Sequence, residues 1–314
     1  MIEILSLVPL AAEKRPEFEA SGFSLALAEA GPGLADDIRR RAIPARGIVT
    51  SGMMGVDAAA MDALPGLSII CTLGAGYDRI DIAAARARNI VVTSGADANS
   101  DSVADHAMAL LFASVRGIVK SDGQVRAGAG ADWTTIRTVR PGLWGKKLGI
   151  VGMGRIGSRV AKRGAGGFNM EVGYHNRRPA DSPYRYFPDV TELAAWADYL
   201  IVTLPGKADS HHIIGRQVLD ALGPRGFLVN VGRGSAVDTG ALAAALRDGV
   251  IGGAGLDVFE GEPVLPDSLA GFDNLTLTPH IAGRSFDSVD QMFRTAIGNL
   301  RAHFDGAPLL TPTI

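Results

Sequence analysis

The sequence predicts an α/β protein built on parallel sheets, and two observations carry that prediction. Short apolar runs of strand length alternate with Ala-rich stretches of helical period along most of the 314 residues. Near the middle of the chain, a glycine-rich loop stands between one such run and a helical stretch. There are forty glycines in all. The usual share is roughly 7%, so many tight turns or close backbone approaches are expected.

The composition excludes several classes of protein. Hydrophobic residues make up 47% of the chain, which is too many for a disordered protein. The net charge of −2 lacks the basic excess of a nucleic-acid binder. No apolar run approaches the ~18 residues of a membrane span, and the start of the chain lacks the pattern of a signal peptide. With Cys71 as the single cysteine, we expect a cytoplasmic protein without nucleic-acid or membrane partners.

The first third of the chain predicts one parallel sheet. Its apolar runs are separated by helical stretches such as Asp57–Leu64 and Ile82–Arg88. A longer helix is expected over Ser102–Lys120. The predicted strands are Ile2–Val8, Gly47–Thr50, Leu67–Leu73 and Ile90–Thr93.

A second α/β series begins after a stretch that contains Trp133 and Trp144. Its strands and helices have the content of a doubly wound dinucleotide-binding sheet. A last helix is expected over Phe286–Phe304. The predicted strands of this series are Lys147–Val151, Met170–Tyr174, Tyr199–Leu204, Gly226–Val231, Ile251–Asp257 and Asn274–Thr278.

The glycine-rich loop has the pattern G-x-G-x-x-G and the flanks that a dinucleotide site requires. The strand Lys147–Val151 precedes it and the helical stretch Ser158–Arg163 follows it. Gly152 permits a tight turn, Gly154 lets the backbone approach a pyrophosphate, and Gly157 lets the helix pack on the strand. The alternative is a glycine-rich turn without a ligand.

The helix after this loop has two notable features. Its first residues, Arg155 and Ile156, belong to the turn whose unpaired N–H groups face the anion. Further along come three more glycines, each of which costs a helix interior about 1 kcal/mol relative to Ala. We therefore expect the helix to end early, near Gly164, Gly166 and Gly167.

The end of the second strand in this series bears on the choice of cofactor. An NAD site usually has Asp or Glu there to hold the ribose hydroxyls. Here His175 is followed by Asn176, Arg177 and Arg178, and no carboxylate is present. Because a guanidinium fork suits a 2′-phosphate, the pattern favours NADPH over NADH. The alternative is that both arginines are solvated loop side chains.

Three side chains with complementary chemistry follow three successive strands, where doubly wound folds bind their ligands. The set suits the reduction of a 2-oxo acid by a nicotinamide hydride. His280 would donate the proton to the carbonyl oxygen, and Glu262 would favour its imidazolium. Arg233 would bind the carboxylate and polarise the carbonyl. Asp257 is expected to accept a hydrogen bond from the nicotinamide carboxamide.

The motifs of this chain, in the order in which they occur, resemble those of the D-isomer-specific 2-hydroxyacid dehydrogenases. The likeness spans nearly the whole chain. Within that family the chain is most similar to NADPH-dependent hydroxypyruvate/glyoxylate reductases and hydroxyphenylpyruvate reductases. The residues that carry the resemblance are Leu73-Gly74-Ala75-Gly76-Tyr77-Asp78, Val103-Ala104-Asp105, the Gly152–Gly157 loop, Asn230-Val231-Gly232-Arg233-Gly234, Asp257-Val258-Phe259 with Glu262-Pro263, and Thr278-Pro279-His280.

The resemblance implies a role for each matching residue. Arg233, Glu262 and His280 match the catalytic residues of the family, and loop amides matching Ala75 and Gly76 bind the substrate carboxylate. The positions that match cofactor-binding segments are Gly152, Gly154, Arg155, Ile156, Gly157, Asn176, Arg177, Arg178, Thr203, Leu204, Pro205, Val231, Gly232 and Asp257.

The resemblance also implies a domain arrangement. A Rossmann cofactor domain of residues 98–285 would be inserted into a smaller flavodoxin-like substrate domain of residues 1–97 and 286–314. A homodimer would form through the cofactor domain. Trp133 or Trp144 would then either reach the partner's substrate or pack within the interface.

Some alternatives stay open, and others are excluded. The same fold serves corepressor-like modules that sense NAD(H), and these keep the catalytic residues. A formate dehydrogenase is excluded, because the formate dehydrogenase branch of the family has Gln at the position that matches Glu262. His211 and His212 offer too few ligands for a metal, so none is expected. The substrate remains open among glyoxylate, hydroxypyruvate, 2-ketogluconate and an aryl pyruvate.

Overall fold

The computed structural model describes residues 1–128, 138–206 and 208–313. The chain divides into two compact units, one of Met1–Asn99 with Gly283–Ile314 and one of Ser100–Ala282. The sequence placed these boundaries at residues 97 and 286, within three residues of the observed ones. Trp133, a candidate for contact with a partner's substrate, lies outside the described residues.

The smaller unit contains a five-stranded parallel sheet with the order β2-β1-β3-β4-β5. This is the strand order of flavodoxin-like folds, as expected. Sequence analysis missed β2, an edge strand that pairs only with β1 and buries only alternate residues at its start. The strands are β1 (Ile2–Ser6), β2 (Phe23–Leu27), β3 (Gly47–Thr50), β4 (Ile69–Thr72) and β5 (Val91–Thr93).

Helices cover both faces of this sheet, and the last helix of the chain has the predicted bounds. That helix, α11 (Phe286–Phe304), buries Phe293 and Leu300 in a core cluster that also contains Cys71 of β4. Burial raises the pKa of the Cys71 thiol to about 12. The other helices of the unit are α1 (Arg15–Ala20), α2 (Leu34–Arg41), α3 (Ala58–Asp62) and α4 (Ile82–Ala87).

The larger unit contains a seven-stranded parallel sheet with the order β12-β11-β10-β9-β6-β7-β8. Sequence analysis missed β8, a three-residue edge strand that pairs only with β7. The strand order reverses between β6 and β9, the kind of position at which doubly wound sheets bind ligands. The strands are β6 (Lys147–Val151), β7 (Glu171–His175), β8 (Arg185–Phe187), β9 (Tyr199–Val202), β10 (Phe227–Asn230), β11 (Gly253–Leu256) and β12 (Leu275–Leu277).

The long helix expected over Ser102–Lys120 is two helices, α5 (Ser100–Arg116) and α6 (Ile118–Arg126), bent by 61°. The break falls at Gly117, whose φ of 61° is left-handed and suits glycine. Within the described residues no single helix is long and apolar enough to cross a membrane. This bent pair meets the test of length and composition only when its two helices are taken together.

The helix after the glycine-rich loop, α7 (Arg155–Phe168), does not end early, so that prediction is wrong. A Cβ on Gly164 would lie 2.6 Å from Leu148 Cδ2, so this glycine allows α7 to pack closely on β6. Tertiary packing thus outweighs the low helix propensity. The remaining helices are α8 (Val190–Trp196), α9 (Arg216–Leu222) and α10 (Thr239–Arg247).

Candidate active site

His280 and Glu262 form a hydrogen-bonded pair in the loops that follow β12 and β11. His280 Nδ1 lies 2.7 Å from Glu262 Oε2, and Glu262 Oε1 accepts a hydrogen bond from the Phe259 amide at 2.9 Å. Because an ionised carboxylate only accepts hydrogen bonds, Nδ1 carries a proton. The other ring nitrogen, Nε2, makes no hydrogen bond to any described residue, so it is available to a ligand.

The Glu262 carboxyl is held in its ionised form. Burial alone would raise its pKa, but the hydrogen bond and charge of His280, the Phe259 amide and the charge of Arg233 together lower that pKa below its usual value. Glu262 therefore enters the pair as a carboxylate that orients the His280 ring.

Arg233 is positioned by a tight turn at the end of β10. Buried Asn230 donates through Nδ2 to the Arg233 carbonyl at 2.9 Å and accepts from the Gly232 amide at 3.0 Å. A Cβ on Gly234 would lie 2.2 Å from the Phe259 carbonyl carbon, so only glycine lets this turn approach the β11 loop that carries Glu262. The arginine and the glutamate therefore stand on neighbouring loops of one sheet edge.

His280 has an unusual backbone conformation, which Asp257 supports. Its φ of 54° is left-handed, and such a conformation costs a non-glycine residue about 1–3 kcal/mol. The His280 amide donates to the Asp257 carbonyl at 2.9 Å. The buried Asp257 carboxylate accepts from the amides of Ile281 and Ala282, both at 2.9 Å. Asp257 thus organises the loop that presents the histidine.

His106 of α5 also belongs to this network, although sequence analysis did not single it out. Thr278 Oγ1 donates its one proton to Asp257 Oδ1 at 2.6 Å. The same hydroxyl oxygen lies 2.9 Å from His106 Nε2, so the histidine must be the donor there. His106 Nε2 is also 3.5 Å from Asp257 Oδ1. The sequence offers no motif that links a helix residue to a loop 172 positions later.

The glycine-rich loop has the geometry expected of a dinucleotide cradle. Gly152 has a φ of 108°, and a Cβ on Gly157 would lie 2.1 Å from the Gly152 carbonyl oxygen. No atom lies within 4 Å of a Cβ built on Gly154, so this part of the backbone is open to a ligand. Asn176 fixes the loop by accepting from the Met153 amide at 2.7 Å. These residues fit a bound pyrophosphate at the start of α7.

A cleft of about 660 Å³ opens beside this loop. Eight of the predicted cofactor residues line it: Gly152, Gly154, Asn176, Arg177, Arg178, Thr203, Leu204 and Pro205. Five more lining residues were not among those predicted: Met153, His175, Asp209, Ser210 and Ile213. The other six predicted residues do not line the cleft, and their roles stay predictions. They are Arg155, Ile156, Gly157, Val231, Gly232 and Asp257.

The two arginines at the end of β7 differ in their surroundings. Arg177 Nη1 forms an ion pair with Asp209 Oδ2 at 2.6 Å. Arg178 forms no ion pair with any residue in the described ranges. The sequence predicted two equivalent cations here, and the acidic partner lies 32 residues away in the chain.

Comparisons with known proteins identify the family of the chain. Residues 108–282 match the family model of the D-isomer specific 2-hydroxyacid dehydrogenase NAD binding domain. Hydroxyphenylpyruvate reductase of Plectranthus scutellarioides is 38% identical over 100% of this chain and 99% of its own length. A glyoxylate/hydroxypyruvate reductase of Arabidopsis thaliana is 42% identical over 87% of this chain and 84% of its own. The chain belongs to the D-isomer-specific 2-hydroxyacid dehydrogenase family.

A solved structure extends this likeness to three dimensions. An NADPH-dependent glyoxylate/hydroxypyruvate reductase from Sinorhizobium meliloti, in complex with NADP and malonate, is 36% identical with a TM-score of 0.85. The match covers 99% of this chain and 96% of that chain. The predicted family and α/β fold are thereby confirmed. The chain is an oxidoreductase with an NAD(P)-binding domain.

In the smaller unit of this dehydrogenase, the loop after β4 contains the predicted substrate-binding amides. Ala75 is exposed, Gly76 is half-buried, and their N–H groups donate to no other described residue. The residue before them is held in place, because the Gly74 carbonyl accepts from Thr72 Oγ1 at 2.9 Å and from the Gly95 amide at 2.8 Å. A pair of available N–H groups suits a carboxylate.

One of the two adjacent histidines of the dehydrogenase, His212, forms a side-chain hydrogen bond. His212 Nε2 lies 2.7 Å from Glu260 Oε1, and Glu260 Oε2 accepts from the Thr239 hydroxyl at 2.6 Å. Burial would raise the pKa of Glu260, but Thr239 and His212 lower it. Among the described residues, His211, His212 and Glu260 are the one group spaced closely enough to hold a metal. The hydrogen bonds within it account for its geometry.

Proposed function

We propose that this dehydrogenase reduces a small 2-oxo acid of the glyoxylate or hydroxypyruvate class to the D-2-hydroxy acid, with NADPH preferred over NADH. The observation that carries the proposal is the 2.7 Å His280–Glu262 pair on the loop beside that of Arg233, in the unit that also holds the dinucleotide cleft. The relatives of Arabidopsis thaliana named glyoxylate/hydroxypyruvate reductases support this substrate class.

In this mechanism His280 is the proton donor. The bound nicotinamide supplies the hydride. Glu262 holds Nδ1 at 2.7 Å, so the proton delivered to the substrate oxygen leaves from Nε2. The carboxylate beside the ring stabilises the imidazolium before the transfer, and Asp257 keeps the loop in place during it.

In the proposed mechanism, the substrate is bound by a guanidinium group and by backbone N–H groups. Arg233 supplies a planar guanidinium that pairs with the carboxylate and polarises the neighbouring carbonyl. In the smaller unit, the N–H groups of Ala75 and Gly76 remain a proposed carboxylate-binding pair. A 2-oxo acid presents both functions on adjacent carbons, which this donor set matches.

The preference for NADPH rests on the end of β7. The strand end itself, His175–Arg178, has no carboxylate to hold ribose hydroxyls, and Arg177 and Arg178 both line the cleft. Each charge-assisted contact to a 2′-phosphate is worth roughly 1.5–3 kcal/mol when well formed. The Sinorhizobium meliloti relative, described as NADPH-dependent, supports this assignment.

We further infer a cytoplasmic homodimer that forms through the larger unit. Helix α6 exposes Ile118 (52%), Val119 (60%) and Val125 (56%), and Trp144 is 77% exposed. Exposed apolar side chains close together in one part of the chain are typical of an interaction surface. Sedimentation at micromolar concentration tests the oligomeric state, and a monomer there would contradict it.

The decisive experiment is a turnover assay with a substrate panel. The purified chain is assayed with glyoxylate, hydroxypyruvate, 2-ketogluconate and an aryl pyruvate, each with NADPH and with NADH. We expect the highest kcat/KM for glyoxylate or hydroxypyruvate with NADPH. Binding of NADPH without turnover of any 2-oxo acid would indicate a nucleotide-sensing module instead.

A further inference from the structure

We propose that Asp209 is a specificity-determining residue that limits the NADPH preference by occupying Arg177. The inference rests on the proposed preference for NADPH and names a residue that opposes it. Asp209 therefore sets how far the enzyme discriminates against NADH.

The first support is the position of Asp209 in the cleft. It lines the same cleft as Arg177 and Arg178, on a short 3-10 helix, Ala208–Ser210. Ser210 Oγ donates to the Pro205 carbonyl at 2.7 Å, which holds this turn against the end of β9. The carboxylate is thus presented to the cleft by an anchored segment.

The second support is the ion pair itself. Arg177 Nη1 and Asp209 Oδ2 are 2.6 Å apart, and their side chains are 72% and 63% exposed. A pair this exposed is weak, so an incoming phosphate can displace the carboxylate. Arg178 has no such competitor among the described residues and is free to meet the phosphate first.

The two cofactors meet different conditions at this place. The 2′-phosphate of NADPH must compete with Asp209 for Arg177, and the carboxylate also repels it. NADH presents neutral ribose hydroxyls, which donate hydrogen bonds to a carboxylate. Asp209 therefore disfavours NADPH and favours NADH, opposite to the effect of the arginines.

The test is the ratio of kcat/KM for NADPH to kcat/KM for NADH, measured for Asp209→Asn. The ratio cancels effects common to both cofactors. We expect it to rise roughly two- to fivefold over wild type, the range that fits a weak exposed pair. The matched control is Asp220→Asn in α9, which removes another exposed ion pair, with Arg216 at 2.7 Å, outside the cleft lining. We expect no change of ratio there.

A second comparison tests whether the effect passes through Arg177. In an Arg177→Ala background, Asp209→Asn should raise the ratio clearly less than it does in the wild type. An equal rise with and without Arg177 would overturn the proposed pairing. So would an unchanged or lower ratio in Asp209→Asn, or a rise matched by the Asp220→Asn control.

The same data separate this inference from the proposed function. A wild-type ratio at or below one overturns the preference for NADPH, whatever Asp209 does. A wild-type ratio above one that does not increase in Asp209→Asn leaves the preference intact and overturns the role of Asp209.

Discussion

At the scale of single residues, His280 is the proposed proton donor of the chemical step. Replacing it with Gln removes the proton donor, and general acid catalysis typically contributes ~10²–10⁴-fold. We expect kcat to fall by about that factor, while NADPH binding, measured by fluorescence titration, stays within a few fold. His303→Gln is the control, because His303 belongs to the smaller unit and contacts Ser68. A kcat near that of the wild type would remove His280 from its role.

Glu262 gives the folded protein a pH-dependent stability that Glu262→Gln removes. The lowered pKa of Glu262 means that folding favours its ionised form. The resulting stability is present above the ordinary glutamate pKa of about 4.3 and is lost as pH falls through the lowered pKa. The difference in unfolding free energy between wild type and variant should therefore be constant near neutral pH and shrink below about pH 4.3. A difference that stays constant below that pH would contradict the coupling.

At the scale of elements, the loop after β12 depends on its hydrogen bonds to Asp257 and His106. Thr278→Val leaves both partners short of one hydrogen bond, which costs about 1–3 kcal/mol in a buried site. We expect a loss of that order in urea unfolding and a clear fall in kcat, with Thr278→Ser restoring both. Thr276→Val in the preceding strand, β12, is the control, since Thr276 makes no side-chain hydrogen bond to the described residues. Equal effects at the two threonines would show that the network does not position His280.

Two glycines of helix α7 allow the effect of tertiary packing on stability to be compared with that of intrinsic helix propensity. A Cβ on Gly164 would lie 2.6 Å from Leu148 Cδ2, whereas nothing lies within 4 Å of a Cβ on Gly166. Ala is the better helix former by about 1 kcal/mol, so Gly166→Ala should stabilise the protein by up to that amount. Gly164→Ala should destabilise it by about 1–3 kcal/mol through overpacking. Thermal or chemical unfolding measures both, and a stabilising Gly164→Ala would mean that Leu148 yields freely.

At the scale of the whole molecule, the proposed cofactor residues all belong to the larger unit, Ser100–Ala282. A ligand that binds only the folded state stabilises it, by about 2.7 kcal/mol at 100 times its Kd. All three tryptophans fall within the residue range of that unit. NADPH should therefore raise the unfolding midpoint reported by tryptophan fluorescence, and by more than NADH at equal concentration. Equal shifts would argue against recognition of the 2′-phosphate.

The sequence by itself determined those features that depend on residues close together in the chain. Apolar runs marked ten of the twelve strands, α11 has the expected bounds Phe286–Phe304, and the G-x-G-x-x-G pattern placed the dinucleotide loop. Arg233, Glu262 and His280 each follow the end of a strand, where doubly wound folds bind their ligands. Their side-chain chemistry therefore indicated the reaction. These are local signals, and local periodicity is visible without tertiary contacts.

Only the tertiary structure decided the features that depend on distant partners. Edge strands β2 and β8 form because each has one neighbour to pair with, although their own patterns are weak. Helix α7 continues through its glycines because Gly164 packs on Leu148. Arg177 meets Asp209 across 32 residues, and His106 meets Thr278 across 172. Such pairings follow from how the sheet brings its strand ends and helices together, which spacing along the chain does not encode.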